Sequence, residues 1–312
     1  MKKQGIICGV LSATLFGISG ILASILFRNQ NINPEWLVGV RMSLSGIILL
    51  IVLFCFSGRR VFEIWLNKKD VVLIILYGIV GVLLAQSSFF LSVYFGDAAT
   101  ATILQSLGPT IIVILLSLAT RTLPSRLDIW SILIALTGVF LLITNGNINQ
   151  LVVNSKALFW GILSAFGLAA YTLIPKPLLE KQSPLVVVAW GLLVGGTAEN
   201  FFHPIWYIPS QVSTKDWIIM VFIIIAGTLL PYALYVPYAL YVMSLSQLKP
   251  TTASLLSTIE PMVATLLSVT LLHVHLRMFQ VVGILFIIST IFLISLPLER
   301  IFKKRLSDPK IN

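Results

Sequence analysis

The sequence predicts an all-α integral membrane protein with ten transmembrane helices, arranged as two inverted five-helix repeats. Three observations lead to this prediction: the length and number of the apolar runs, the uneven distribution of basic residues, and an internal repeat at one constant offset. Of the 312 residues, 58% are hydrophobic and only 10% are charged, whereas soluble domains are about one quarter charged. One large core of a soluble protein does not account for such a composition.

Apolar runs of about 18 or more residues are long enough to cross a bilayer as helices. Such runs, joined by short polar connections, cover residues 5–27, 35–56, 70–94, 98–119, 127–144, 157–175, 185–203, 217–243, 250–272 and 278–297. A spanning segment must satisfy its own backbone hydrogen bonds, so each run predicts a helix. The runs are too long and too uniformly apolar for β-barrel strands. We interpret the run after the initial MKKQ as the first helix and not as a signal peptide.

The basic residues predict the orientation of the chain. With a cytoplasmic N-terminus, sixteen Lys and Arg residues fall in inner segments, and the outer segments hold only four: Arg28, Lys156, Lys215 and Arg277. This positive-inside bias predicts a multi-pass protein of the cell membrane, bacterial in origin, with both termini in the cytoplasm. The net charge of +10 is therefore a topology signal, and it does not indicate a nucleic-acid partner.

The two cysteines fall within predicted spans. Cys8 lies in the first span and Cys55 in the second, so the sequence predicts neither a disulfide framework nor a metal site. No cofactor motif is present, and in particular no phosphate-binding glycine loop that would indicate ATP as the energy source.

The internal repeat appears when the sequence is shifted by 152 residues. Residues 92–110, SVYFGDAATATILQSLGPT, then fall on residues 244–262, SLSQLKPTTASLLSTIEPM. Matching pairs under this shift include Gly9 with Gly161, Ser12 with Ser164, Thr100 with Thr252, Ala101 with Ala253, Pro109 with Pro261 and Phe140 with Phe292. One offset that aligns prolines, glycines and small polar residues predicts two copies of one unit.

The copies are predicted to cover about residues 1–150 and 151–312, the second with a basic cytoplasmic tail. Each copy has five helices, and because five is odd, the second copy enters the membrane inverted relative to the first. Inverted repeats are typical of transporters, whose substrate site lies near the membrane midplane where the repeats meet.

The five-plus-five layout resembles the drug/metabolite transporter superfamily, EamA type. The motifs that carry the resemblance are the repeated Ala-x7-Pro phrase, Arg41 in helix two, Glu260-Pro261 in helix nine and FQVVG at 279–283. The resemblance covers nearly the whole chain. It implies a secondary transporter for a small organic metabolite, such as an amino acid or a related compound, with export as the expected direction.

Glu260 is the strongest single candidate for the transport path. It is the only carboxylate at the centre of a predicted span, ten residues from Pro250 and twelve from Leu272. A charge at the bilayer centre costs about 3 kcal/mol or more unless it faces protein or water, and an apolar site favours the neutral acid. We expect either a substrate or proton site in the central cavity or a protonated carboxyl that holds neighbouring helices together.

Pro109 and Pro261 each remove one amide donor and free a carbonyl four residues back, on Gln105 and Ser257. Small polar residues surround both prolines. The sequence therefore predicts kinked helices that line a cavity, and a static kink that merely fits the bundle is the alternative.

Other polar residues at membrane depth have two interpretations each. Arg41 lies about six residues inside helix two and either snorkels to the interface or pairs with an anion. Gln86, with the neighbouring Ser87 and Ser88, forms a polar notch in helix three that either contributes to the site or bonds to another helix.

The phrase PYALYVPYALYV at 231–242 adds two prolines, Pro231 and Pro237, and four tyrosines. Tyrosines every three residues spread over half of a regular helix, so they cannot all face one pocket. Tyr232 and Tyr235 are expected either in a cavity wall or in helix packing, and the outer pair in an interfacial aromatic belt. The full set of candidate substrate-binding residues is Ser12, Arg41, Gln86, Gln105, Trp160, Tyr171, Tyr232, Tyr235 and Glu260.

Three classes of function make different demands on these residues. A transporter agrees with the inverted repeat and the proline-broken helices. Its expected partners are a metabolite, the lipid bilayer and protons as the coupling ion, and the expected oligomeric state is a monomer or a homodimer. A polytopic membrane enzyme acting on lipids or peptides requires paired aspartates, a nucleophile with its base, or a metal cluster at membrane depth, and the sequence offers none. A receptor or scaffold does not require the repeated broken helices. The sequence therefore predicts a transporter and not an enzyme.

Overall fold

Long helices make up nearly all of the molecule. The computed structural model describes residues 2–28, 32–121, 123–147, 151–209, 212–229 and 259–295, and these contain helices and connections but no β-strand. In chain order the α-helices are α1 (Lys2–Arg28), α2 (Pro34–Ser57), α3 (Lys68–Leu76), α4 (Leu84–Phe95), α5 (Ala98–Gln105), α6 (Gly108–Thr120), α7 (Arg126–Thr144), α8 (Ser155–Leu173), α9 (Lys176–Leu179), α10 (Pro184–Phe202), α11 (Thr214–Ile224), α12 (Ile259–Leu271) and α13 (Met278–Ser295). A 3-10 helix covers Gly58–Trp65, and π-helical turns cover Tyr77–Leu83 and Ile225–Leu229.

Several helices begin where polar caps stand before the apolar runs. Asn33 caps α2, with Pro34 in its first turn, and Asp97 caps α5. Ser125 with Asp128, and Ser213 with Asp216, form reciprocal capping boxes at the starts of α7 and α11. Such caps satisfy amide groups that have no partner within the helix, so the capped ends mark the points where the chain enters the bundle.

Six helical stretches among the described residues are long and apolar enough to cross a bilayer: Pro34–Trp65, Lys68–Phe95, Ala98–Thr120, Arg126–Thr144, Ser155–Leu179 and Pro184–Phe202. Shorter apolar helices cover Ala13–Arg28, Ile259–Leu271 and Met278–Ile291. Together they follow the spans expected from the sequence and confirm the all-α membrane fold. The predicted spans 217–243 and 250–272 lie only partly within the described residues, so the count of ten stays a prediction.

The connections gather on two faces of the bundle. On the first, called face A, Arg28 donates to the carbonyl of Leu272 (3.0 Å), and the Trp36 indole donates to the carbonyl of Ile205 (3.3 Å). On the second, face B, the Trp190 indole donates to the carbonyl of Val61 (2.8 Å). The connections between the described helices therefore alternate between the faces, as expected for helices that cross the bundle one after another.

Several helix contacts correspond under exchange of the two halves of the chain at the 152-residue offset. α1 packs on α12, and the equivalent pair, α8 and α6, is also in contact. In addition, α8 packs on α4 and the π-helical turn before it, and α1 packs on α11 and the π-helical turn after it. The pairs α2–α10 and α7–α13 map onto themselves. These correspondences agree with two related repeats in the described part of the chain.

Glycines allow the self-mapping pairs to approach closely. A Cβ on Gly138 of α7 would lie 2.8 Å from the carbonyl oxygen of Gly283 on α13, and a Cβ on Gly283 would lie 2.5 Å from that of Gly138. A Cβ on Gly196 of α10 would lie 2.7 Å from the backbone nitrogen of Ser43 on α2. Small residues at helix crossings are typical of membrane proteins, where association depends on van der Waals packing.

Two of the long helices are irregular inside the bundle. The fourth span is interrupted at residues 106–107, between α5 and α6, directly before Pro109. This agrees with the irregularity expected at that proline, although the chain breaks the helix into two pieces and does not merely bend it. Pro261 is buried in the first described turn of α12, and the residues before Ile259 lie outside the described part of the chain. The π-helical turn within the third span has no counterpart among the sequence-based expectations.

Candidate functional site

Arg41 is buried in the bundle and does not snorkel to the interface. Its side chain is 4% exposed. The Nε group donates to Thr228 Oγ1 (2.8 Å), and Nη2 donates to the carbonyl of Gly227 (3.2 Å). The guanidinium also lies over the ring of Phe90, 5.2 Å from its centre. A buried guanidinium held in this way is a fixed positive charge inside the bundle.

The acceptors of Arg41 belong to the π-helical turn 225–229. π-helical turns are rare and occur frequently at functional sites, because they alter the regular pattern of backbone hydrogen bonds. The turn comes immediately before residue 231, where the PYALYVPYALYV phrase begins. That phrase, with the predicted Pro231, Tyr232, Tyr235 and Pro237, lies outside the described residues.

Glu260 and Arg41 act on each other electrostatically. Arg41 of α2 and Glu260 of α12 lie close enough for their charges to interact, so two of the residues singled out in the sequence belong to the same region of the bundle. Glu260 stands where α12 packs on α1, because a Cβ on Gly17 would lie 3.2 Å from its backbone oxygen.

Ser19 of α1 completes this group. Its hydroxyl is buried and sits 2.6 Å from the position a Cβ would take on Gly227. We call Ser19, Arg41, Phe90, Gly227, Thr228 and Glu260 the central cluster. Its members come from both halves of the chain, so the cluster lies where the two repeats meet, which is where transporters place their sites.

The predicted residue Tyr171 lies elsewhere. It is 2% exposed, and its ring lies 5.3 Å from that of Tyr77, tilted by 36°. A Cβ on Gly81, in the π-helical turn 77–83, would lie 3.1 Å from the Tyr171 Cα. Because α8 runs from face A at Ser155, Tyr171 is about 24 Å along that helix and near face B. The tyrosine pair therefore packs on the side of the bundle away from Arg41.

Trp160 lines a cavity of about 710 Å³ on face A. The lining residues are Ile32, Asn33, Pro34, Glu35, Leu91, Tyr94, Phe95, Lys156, Trp160 and Pro209. Leu91 is four residues from the end of α4 and Trp160 is five residues from the start of α8, so the cavity extends about 6–8 Å into the bundle. Leu91 directly follows Phe90, the ring against Arg41, so the cavity wall and the central cluster share α4.

Gln86, Gln105 and Ser12 are the remaining predicted substrate-binding residues within the described helices. Gln86 is half-buried on α4, and Gln105 is half-buried at the end of α5, next to the break before Pro109. Ser12 lies on α1, but its side chain is outside the described part of the chain.

Sequence reasoning missed a second polar group, at face A. Ser87 donates to Glu199 Oε2 (3.2 Å), and His203 Nδ1 lies 3.1 Å from Glu199 Oε1. His203 Nε2 in turn lies 3.2 Å from Glu35 Oε2. The polar notch around Gln86 is expected either to contribute to the site or to bond to another helix, and Ser87 makes a bond of the second kind. The i, i+4 spacing of Glu199 and His203 at the end of a span is the sequence feature that indicates their contact.

Comparison with known proteins finds one family model that matches the chain twice. The model of the EamA-like transporter family matches residues 3–144 and again residues 155–296. The two matches are offset by 152 residues at both ends, which is the shift found within the sequence.

Two relatives and one solved structure are similar to the chain. An uncharacterized inner membrane transporter, YicL of Salmonella typhimurium, is 35% identical over 298 residues, covering 96% of this chain and 97% of the relative. The uncharacterized transporter YyaM of Bacillus subtilis is 21% identical over 170 residues, about half of each chain. A crystal structure at 17% identity superposes with a TM-score of 0.60 over 93% of this chain and 99% of the other, which shows a shared fold.

Proposed function

Because the chain belongs to the EamA-like transporter family, we propose that it is a secondary transporter that exports a small organic metabolite across the cell membrane by alternating access. The observation that carries the proposal is the central cluster. A fixed cation and a carboxylate whose charges interact lie in the same region of the bundle, and each is supplied by a different repeat. Relative movement of the repeats would change the distance between the Arg41 guanidinium and the Glu260 carboxyl.

The substrate class follows from the chemistry of this cluster. Arg41 and Glu260 present opposite charges, and Phe90 presents a ring face. A small molecule that carries both an acidic and a basic group, such as an amino acid or a related compound, complements such a pair. Glu260 is also the residue we propose for proton coupling, because a carboxyl in the transport path can bind a proton in exchange for substrate.

We propose that face A is the outside. The inner segments of the positive-inside assignment that join described helices, such as 58–69 and 174–183, connect at face B. With this orientation the cavity around Trp160 opens outwards, and the Tyr77–Tyr171 pair packs toward the cytoplasmic side. The division into copies at about 1–150 and 151–312 is part of the same proposal.

Thiol labelling in intact cells tests the orientation. In a background with Cys8 and Cys55 replaced by serine, Val152→Cys on face A is expected to react with an impermeant reagent, and Arg60→Cys on face B only after permeabilisation. Labelling of Arg60→Cys from outside would reverse the proposed topology.

A comparison of metabolites tests the function. Cells that overproduce the protein are compared with cells that produce Glu260→Gln, which keeps the shape of the side chain and removes its charge, and with Glu180→Gln, an exposed carboxylate on face B. We expect one class of metabolite to accumulate outside only with the wild type and Glu180→Gln. Candidates are then assayed for counterflow in proteoliposomes. If inserted Glu260→Gln transports at the wild-type rate with unchanged pH dependence, Glu260 is structural only.

The alternative that the sequence left open, a membrane enzyme acting on lipids or peptides, predicts a different result. The purified protein would then convert its substrate in detergent, with no membrane to separate two compartments. Counterflow without chemical change of the labelled compound supports the transporter.

A further inference from the structure

A group of three ionisable side chains at face A has no part in the central cluster. Glu35 begins α2, Glu199 lies one turn from the end of α10, and His203 follows that helix. We call these residues the face-A triad. The imidazole lies between the two carboxyls, at 3.1 Å from Glu199 and 3.2 Å from Glu35.

The geometry gives the His203 imidazole a carboxyl neighbour at each ring nitrogen. His203 Nδ1 is in hydrogen-bond contact with Glu199, and Nε2 lies within ion-pair distance of Glu35. A neutral imidazole carries a single N–H donor, whereas an imidazolium carries two. Only the protonated ring can therefore donate toward both carboxylates at once.

We propose that the face-A triad is a proton-binding site that links the two repeats. Glu35 belongs to the first repeat, while Glu199 and His203 belong to the second. With the proton bound, an imidazolium donates to both carboxylates and ties the start of α2 to the end of α10. Without it, one ring nitrogen presents a lone pair to a carboxylate, one hydrogen bond is lost, and two negative charges face each other across a neutral ring.

The surroundings of the triad support exchange with the aqueous phase at one end only. Glu35 and His203 are about one third exposed, and Glu199 is 9% exposed. Glu35 also lines the face-A cavity. Ser87 of α4 donates to Glu199 from the buried side. The charged group from another helix at the same cavity is Lys156 of α8, whose Nζ lies 5.1 Å from the centre of the Phe95 ring.

Histidine-selective nitrogen NMR tests the site directly. The chain has three histidines, so protein labelled with 15N-histidine in lipid nanodiscs gives three imidazole signals, and His203→Asn identifies the one of interest. At about pH 7.5, where free imidazole is mostly neutral, we expect both ring nitrogens of His203 to be protonated. In Glu35→Gln and in Glu199→Gln we expect one of the two protons to be lost.

The control and the contrary outcomes are equally direct. Glu180→Gln, at an exposed carboxylate on face B, should leave the His203 signal unchanged, and unfolding curves establish that each variant is folded. A single protonated nitrogen on His203 in the wild type overturns the proposal. So does a doubly protonated ring that persists in both triad variants. The measurement needs no substrate and no transport, so its outcome is independent of the proposed function.

Discussion

The two copies of the repeat carry different chemistry at equivalent positions near the centre of the bundle. With the offset of 152 residues, Glu260 corresponds to Gly108 and Arg41 corresponds to Leu193. Gly108 has no room for a side chain as packed, because a Cβ would lie 2.8 Å from Cδ2 of Leu168. The polar pair therefore exists on one side of the pseudo-symmetry only.

The same contrast holds where the first helix of one copy meets the π-helical turn of the other. Ser19 of α1 faces Gly227, and the equivalent residue of α8 is Tyr171, which packs on Gly81 and Tyr77. One junction is built from a hydroxyl, a guanidinium and a carboxyl, and the other from two aromatic rings. The repeat conserves the packing scheme, while the chemistry at equivalent positions has diverged. The two repeats therefore share a packing scheme, but only one of the two junctions carries the polar residues of the central cluster.

The largest effect is expected when the polar junction is converted into its apolar counterpart. Arg41→Leu places at position 41 the residue found at 193, and it leaves the buried acceptors on Gly227 and Thr228 without this donor. Leaving a buried acceptor unsatisfied costs about 1–3 kcal/mol, and a total of about 3 kcal/mol corresponds to more than about a 100-fold change in an equilibrium or rate. We expect transport in proteoliposomes to fall to background and the free energy of unfolding in mixed micelles to fall by about 3 kcal/mol.

The double variant Arg41→Leu/Glu260→Gly then sharpens the comparison. It makes both positions equal to their counterparts in the other copy, so no buried charge is left alone. We expect it to recover part of the lost stability and none of the transport. If Arg41→Leu alone kept both wild-type stability and wild-type transport, the central cluster would have neither role.

A smaller effect is expected from glycines in the helices that open the two copies. In Gly167→Ala of α8 the added Cβ would lie 2.5 Å from the backbone nitrogen of Ala85, whereas in Gly17→Ala of α1 it would lie 2.9 Å from a methyl carbon of Val263. A side chain can move away and a helix backbone cannot, so we expect Gly167→Ala to cost about 2–3 kcal/mol and Gly17→Ala about 1 kcal/mol.

Thermal unfolding of the purified variants measures this difference. Gly20→Ala, whose Cβ would meet Phe89 at an ordinary 3.4 Å, is the matched control on α1 and should lie close to the wild type. Equal losses for Gly167→Ala and Gly17→Ala would contradict the view that α8 is the more tightly fitted of the two.

Gly108→Ala examines the apolar side by itself. The obstacle is the end of the Leu168 side chain, so we expect a loss of about 1 kcal/mol with transport retained. Leu168→Ala in the same chain removes the obstacle, and the two changes should be less than additive. Strict additivity of the unfolding free energies would show that Leu168 is not what excludes a side chain at position 108.

The smallest effect is expected at face B. Lys181 pairs with Asp70 at 2.9 Å, but the lysine side chain is 53% exposed, and exposed ion pairs contribute about 0–1 kcal/mol. Lys181→Met should change the free energy of unfolding by less than about 0.5 kcal/mol and leave transport unchanged. A larger loss would mean that this face is held by charge and not by the packing of Trp65 against Trp190, whose ring centres are 5.0 Å apart.

Sequence reasoning reached the site in part. It singled out Arg41 and Glu260 because charged residues at membrane depth are costly and few. It could not choose between a snorkelling and a buried Arg41, because that depends on whether a neighbouring helix presents acceptors. Those acceptors are created by the π-helical turn 225–229, and apolar periodicity gives no indication of such a turn.

The sequence by itself determined the class of the protein, the places where most spans begin and end, and the two-fold repeat. These follow from local physics: apolar length, caps and prolines act within one segment, and an offset is visible in the letters. Tertiary structure alone decided which polar groups meet. It joined Arg41 to Thr228, 187 residues away, and placed His203 between Glu199 of its own repeat and Glu35 of the other. Contacts between distant helices depend on rotation and depth in the bundle, and no single span encodes these.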